Sequence, residues 1–274
     1  MTKRVKQGMA LLIGIAAVLA LLICSMRGPS DEEIASLQKT LFIAIQNGNS
    51  GDVKEVLANN EELANEKKDG IYPLEEALAD QQYRIASILL DNHAKVRDKT
   101  VLEAVALMVD HIHVTVWDDK KVAERLNVFE RLITNNKEWV KATDQQGNTA
   151  LHYAVLRGDK DVVALMVKHH ANIRAVNKQQ ETILHSAAVR GDRGTVAFIL
   201  KKAPILINKV DKKGNSPFVK AIENKRADIY GLLLQADSRQ LTKVNKNNET
   251  PYDVAMILGD RGTIDYLKIK GNKD

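Results

Sequence analysis

Seven histidines and a single cysteine are the side chains of this 274-residue sequence best suited to metal binding or nucleophilic chemistry. His111-Ile112-His113 sets two imidazoles on alternate residues, which share one side of an extended segment and could clip a metal ion. No third ligand is evident, so no metal site is expected. His152 and His185 lie 33 residues apart in matching Leu-His pairs, and His169-His170 forms a further pair. The chemistry open to Cys24, at the end of an apolar run, is lipidation. There is no Gly-x-Ser-x-Gly elbow, no phosphate-binding glycine loop and no His-Glu-x-x-His. The expectation is therefore no catalytic residue, no cofactor and no small-molecule substrate: the chain is not read as an enzyme.

A second motif has the same spacing as the histidines. Arg157-Gly158-Asp159 and Arg190-Gly191-Asp192 look like adhesion triplets and also stand 33 residues apart. The stretches TALHYA from Thr149, TILHSA from Thr182, SPFVKA from Ser216 and TPYDVA from Thr250 follow at steps of 33, 34 and 34. Ala77 and Ala44 extend the alanine column toward the N-terminus. In each unit the Thr or Ser caps a helix, and Pro73, Pro217 and Pro251 fit its first turn, where a missing N–H costs nothing. Leu41, Leu74, Leu151, Leu184, Phe218 and Tyr252 point into the core, and the alanine lets two helices approach closely. A second helix follows with apolar residues at helical spacing. One such pair cannot bury its own apolar face, but stacked pairs can, which predicts a quasi-one-dimensional array.

Within that frame both Arg-Gly-Asp triplets fall in one column, just after the first helix of a unit. There glycine supplies a left-handed helix end and the aspartate caps the next helix, so the triplets are read as structural. Leu63, Trp139, Leu206 and Leu241 occupy equivalent places in long turns between units, and Trp139 is read as a packed anchor. Turn tips carry Lys67-Lys68, Gln145-Gln146, Lys178-Gln179, Lys212-Lys213 and Lys246-Asn247, a mildly basic row that serves either as a solvated edge or as the seat of an acidic partner.

These motifs resemble the ankyrin-repeat family, whose signature is Thr-Pro-Leu-His-x-Ala with a period of about 33 residues. The match is best over 144–210. The resemblance implies an all-α solenoid of about seven helix-turn-helix units over residues 37–274, with structural roles for His152, His185 and His169-His170. It implies protein binding through the tips and the inner helix faces: Glu76, Tyr153, Ser186, Lys220 and Asp253, with Lys178, Lys212, Lys213 and Lys246. The third unit is over-long near 110–122. Its first helix is read in TVLEAVALMVDHIH and its second in KKVAERLNVFERLITNN, leaving Trp117, Asp118 and Asp119 in an inserted loop that is either a partner hot spot or a cover for the long helices.

Lys3, Arg4 and Lys6 precede an uncharged run from Met9 to Met26, and eighteen helical residues rise about 27 Å, close to the thickness of a bilayer core. Residues 1–27 are read as a signal anchor, with a lipoprotein signal ending at Cys24 or a freely secreted form as alternatives, and 28–36 as a linker and the start of a capping helix. The basic flank should stay inside, which places the body in the periplasm of a bacterial inner membrane. Without the four cations of the first thirty residues, the body has 36 basic and 35 acidic residues, so no nucleic-acid footprint is expected. Exported bacterial ankyrin proteins include immunity proteins that neutralise phospholipase effectors. The resemblance thus implies a membrane-tethered protein-binding module, with a secreted lipase as partner. The alternatives are an envelope scaffold or an accessory factor in periplasmic stress defence.

Overall fold

The computed structural model describes residues 30–97, 119–190 and 192–271. The apolar run Met9–Met26, Cys24, His111, His113, Trp117, Asp118 and Gly191 lie outside the described residues. No helix among the described residues is long and apolar enough to cross a membrane.

Thirteen helices are described: α1 (Asp31–Gln46), α2 (Ser50–Asn59), α3 (Pro73–Ala79), α4 (Tyr83–Asp91), α5 (Asp119–Asn135), α6 (Ala150–Arg157), α7 (Lys160–Lys168), α8 (Ile183–Arg190), α9 (Arg193–Lys202), α10 (Pro217–Glu223), α11 (Ala227–Ala236), α12 (Pro251–Ile257) and α13 (Arg261–Gly271). There are no extended strands among the described residues, only isolated bridges such as Thr143–Thr149 and Val176–Thr182. First helices of successive pairs pack together (α1 on α3; α6 on α8, α10 and α12 in turn), and the row α2, α4, α5, α7, α9, α11 does the same. This is the stacked arrangement expected, with α5 as the second helix of the third unit. Asp119, expected in the inserted loop, instead opens α5.

Helix starts follow the capping logic. Ser30 accepts from the backbone N–H of Glu33, and Asp31, Glu32 and Glu33 sit at the positive end of α1. Within the stretch 28–36, read as a linker and the start of a capping helix, the helix therefore begins at Asp31. Signature leucines Leu41, Leu74, Leu151 and Leu184 are buried with Phe218, while Tyr252 in the last unit is only half-buried because no further unit among the described residues covers it.

Long turns close the back of several units as single 3-10 turns: Glu61–Asn65, Lys137–Lys141, Pro204–Asn208 and Ser238–Thr242. Leu63, Trp139 and Leu206 are buried there, whereas Leu241 is half-buried and Gln240 takes the buried place. Trp139 is 3% exposed, as an anchor should be.

The column after the first helix is left-handed wherever it is described. Gly48, Gly158 and Gly259 have φ of 68°, 76° and 64°, and the non-glycines Gln81 and Lys225 adopt 57° and 54°. Asn49, Asp159, Asp192 and Asp260 accept backbone N–H groups at the start of the following helix. The triplet at 157–159 is thus a tight helix–helix turn. A Cβ on Gly158 would meet the Asp192 backbone nitrogen at 3.1 Å. Lys225 is exposed and has the left-handed cost without glycine's relief, so Lys225→Gly is expected to stabilise the chain by about 0.5–1 kcal/mol. A rise in the urea midpoint at unchanged slope would show it; a fall would mean that the extra freedom of glycine in the unfolded chain dominates.

Candidate functional site

Four consecutive turn tips are built to one plan: 144–148, 177–181, 211–215 and 245–249. The first residue's Oδ1 accepts the backbone N–H groups of the third and fifth. Asp144 takes Gln146 and Asn148 at 2.8 and 2.7 Å, and Asn177 takes Gln179 and Glu181 at 2.9 and 3.0 Å. Asp211 takes Lys213 and Asn215 at 2.8 and 2.9 Å, and Asn245 takes Asn247 and Glu249 at 3.0 Å each. This is the Asx chemistry that makes Asn and Asp turn formers. The fourth residue of each tip is left-handed: Gly147, Gln180, Gly214 and Asn248. Glycine is required at Gly214, where a Cβ would stand 2.6 Å from the Lys246 backbone nitrogen of the next tip.

Adjacent tips are then tied backbone to backbone. Lys178 N–H donates to Gln146 O at 2.8 Å, Lys212 N–H to Gln179 O at 2.8 Å, and Lys246 N–H to Lys213 O at 3.0 Å. Side chains repeat the link. Asn177 Nδ2 donates to Asn148 Oδ1 at 2.9 Å and Asn245 Nδ2 to Asn215 Oδ1 at 3.1 Å. The tips therefore form one continuous ridge rather than separate loops.

Charge on this ridge is sorted by direction. Asp211 is buried, and Asp144 is partly buried with Tyr153 Oη donating to it at 2.6 Å. Arg174, Lys178, Lys209, Lys212, Lys213 and Lys246 are exposed. The carboxylates hold the turns from inside, so the outward charge is positive. Arg174 and Lys209 were not singled out in the sequence, although each lies two residues or fewer before the Val-Asx pair that opens a tip.

The inner helix faces do not present what the signature implied. Ser186 is 7% exposed, because the small side chain lies beneath its neighbours, so it is corrected from the binding surface to the core. Lys220 is half-buried, its Nζ 3.1 Å from Glu181, 3.3 Å from Asp211 and 3.7 Å from Glu223. Burial opposes its charge, but these carboxylates outweigh that and hold its pKa above that of an ordinary lysine. It pins units five and six together and is not offered to a partner. Glu76 accepts from Gln46 Nε2 at 3.0 Å, which also occupies it internally. Asp253 was placed one position out of register: it caps Thr250 and stands in the column of His152 and His185, while the buried Val254 stands in that of Tyr153. Of the residues expected at the site, Lys178, Lys212, Lys213 and Lys246 come together on the ridge, with Tyr153 beside them. Asp119 opens α5, away from this series in the chain.

His152 and His185 are held within and between the turn tips. The Thr149 N–H donates to His152 Nδ1 at 3.2 Å and the Thr182 N–H to His185 Nδ1 at 3.0 Å. Nε2 of His152 meets Glu181 O at 3.3 Å, and Nε2 of His185 meets Asn215 O at 3.1 Å. A backbone N–H can only donate and a carbonyl can only accept, so both rings are neutral with the proton on Nε2. Burial pushes both pKa values down. The unfolded chain then takes up protons near the usual histidine value of about 6.5 that the folded chain refuses, so this stability is present above that pH and is lost as the pH falls through it. Each histidine contributes a slope of up to about 1.4 kcal/mol per pH unit. Urea midpoints measured from pH 7.5 to 5.5 should fall less steeply in a His152→Gln/His185→Gln variant. Equal slopes would remove the histidines from the account. Among the described residues no cluster of three or more His, Cys, Asp or Glu side chains could hold a metal ion.

The folded chain thus belongs to the class of stacked helix–turn–helix repeat proteins with a hydrogen-bonded ridge of turn tips. Residues 121–211 match the family model described as ankyrin repeats, in 3 copies, and this part of the chain consists of ankyrin repeats. No curated protein matches the sequence. Ankyrin repeats are protein-interaction modules, typically scaffolds without enzymatic activity.

Proposed function

We propose that this chain captures another protein on its tip ridge while tethered to a membrane by the run Met9–Met26, with the repeat array on the periplasmic side. The observation that carries the capture is the ridge itself: successive tips are locked by backbone bonds, so the turn backbone loses little freedom on docking, which favours specific binding. In the finer reading the partner is a secreted phospholipase-type effector and the chain is its immunity protein, held where such a toxin would arrive. The exported location rests on the leader's charge and apolar length.

The test is site-specific photocrosslinking in the full-length chain. A photoreactive residue replaces Lys212 on the ridge or Lys201 on α9, both exposed. A partner crosslinked at position 212 and absent at 201 is the expected result, and a lipase activity inhibited by the purified chain would identify it. Crosslinking at 201 alone would overturn capture by the ridge.

A further inference from the structure

Val176, Val210 and Val244 stand at the same place in three successive units, immediately before the Asx residue that opens each tip. They are 55%, 45% and 50% exposed, although β-branched apolar side chains ordinarily turn inward in such an array. Each is flanked by exposed cations: Arg174 and Lys178, Lys209 and Lys212, and Lys246. The stripe runs beside the ladder that joins Lys178 to Gln146, Lys212 to Gln179 and Lys246 to Lys213, so its three valines keep a fixed separation. Among the described residues no exposed aromatic side chain accompanies them on which a nucleobase could stack.

The proposal rests on the ridge being the docking surface. We infer that this stripe takes an extended, acidic peptide segment of the partner that carries an apolar side chain at every third residue. Stacked helices lie about 8–10 Å apart, which sets the separation of successive valines. A polyproline-type helix turns once in three residues and rises about 3.1 Å per residue, so every third side chain recurs on one face after about 9 Å. The two periods match, and the intervening acidic residues meet the lysines. A partner α-helix fits less well, because at 1.5 Å per residue a spacing of about 9 Å corresponds to about six residues, and at 3.6 residues per turn these fall on different faces of the helix.

Fluorescence anisotropy with the full-length chain in mild detergent tests this. The probe is a labelled peptide of four Glu-Pro-Val triplets. Controls are four Glu-Pro-Ser triplets, a peptide of the same composition with its valines clustered, and a single-stranded oligonucleotide of equal charge. The regular peptide should bind at least tenfold more tightly than every control. Val176→Ser/Val210→Ser/Val244→Ser should abolish that preference without changing the melting midpoint, and Lys178→Glu/Lys212→Glu/Lys246→Glu should weaken all the peptides more than tenfold. Equal binding of the clustered peptide or the oligonucleotide would leave charge alone and overturn the periodic fit, as would no binding of the regular peptide. A crosslink confined to position 212 in any of these cases would preserve the ridge as a capture surface and reject only this partner class.

Discussion

Asp159→Ala is expected to destabilise the array by about 3–5 kcal/mol, the range found when one partner of a buried ion pair is removed. Asp159 lies in the first of the two Arg-Gly-Asp triplets, yet its carboxylate faces inward. Arg125 on α5 reaches it at 2.9 Å through Nη1 and at 3.3 Å through Nη2, and both side chains are almost fully covered. Arg157 Nε stands 3.9 Å away, and Asp159 also accepts the Val162 N–H at the start of α7. Loss of the carboxylate strands the Arg125 guanidinium beneath neighbouring units and removes a helix cap. Arg125→Leu/Asp159→Asn should recover most of the loss, because an apolar side chain needs no counter-charge and asparagine still caps. Chemical denaturation of the single and double variants measures both effects. A single-variant loss below about 1 kcal/mol would show the pair to be solvated like a surface salt bridge.

Trp139→Ala should cost about 3–5 kcal/mol, as for other large aromatic deletions from a packed interior. Trp139 fills the turn that follows α5. Asn136 caps that turn by accepting the Glu138 N–H at 2.8 Å, and its Nδ2 reaches back to Val96 O at 3.3 Å. The cavity would open where the units before and after α5 meet. Because each unit touches only its neighbours, weakening that junction should split unfolding into two transitions. Circular dichroism across a urea titration should show a biphasic curve for the variant and a single step for the wild type. A shifted but still single transition would mean that the neighbouring junctions carry the coupling.

The repeat frame was legible because local chemistry repeats in it. Thr149 and Ser216 cap helices, Gly158 ends one, and the histidines recur at the interval that brings each ring against the next tip's carbonyl. Trp139 could be placed by its equivalence to Leu63 and Leu206. Contacts that cross units were not legible. Nothing adjacent in sequence shows that Arg125 finds Asp159, 34 residues on, or that Asp211 and Glu181 fold inward onto Lys220. Position five of the signature looked like an open face, and these inward-turning carboxylates close it. The valine stripe escaped notice for a related reason. Val-Asx recurs at steps of 34 residues, but an apolar residue beside a turn reads as core until its exposure is known.

The tip ladder has a grammar longer than the unit that builds it. Tips opened by Asp144 and Asp211 end in Asn148 and Asn215, while those opened by Asn177 and Asn245 end in Glu181 and Glu249. Each keeps one carboxylate and one amide, in opposite order. Amide meets amide between units four and five and again between six and seven, whereas the carboxylates of Glu181 and Asp211 meet between five and six and need the Lys220 ammonium between them. The array is therefore written in doublets. Shortening it by a single unit would break a donor–acceptor rhyme, while recombination in whole pairs would preserve it.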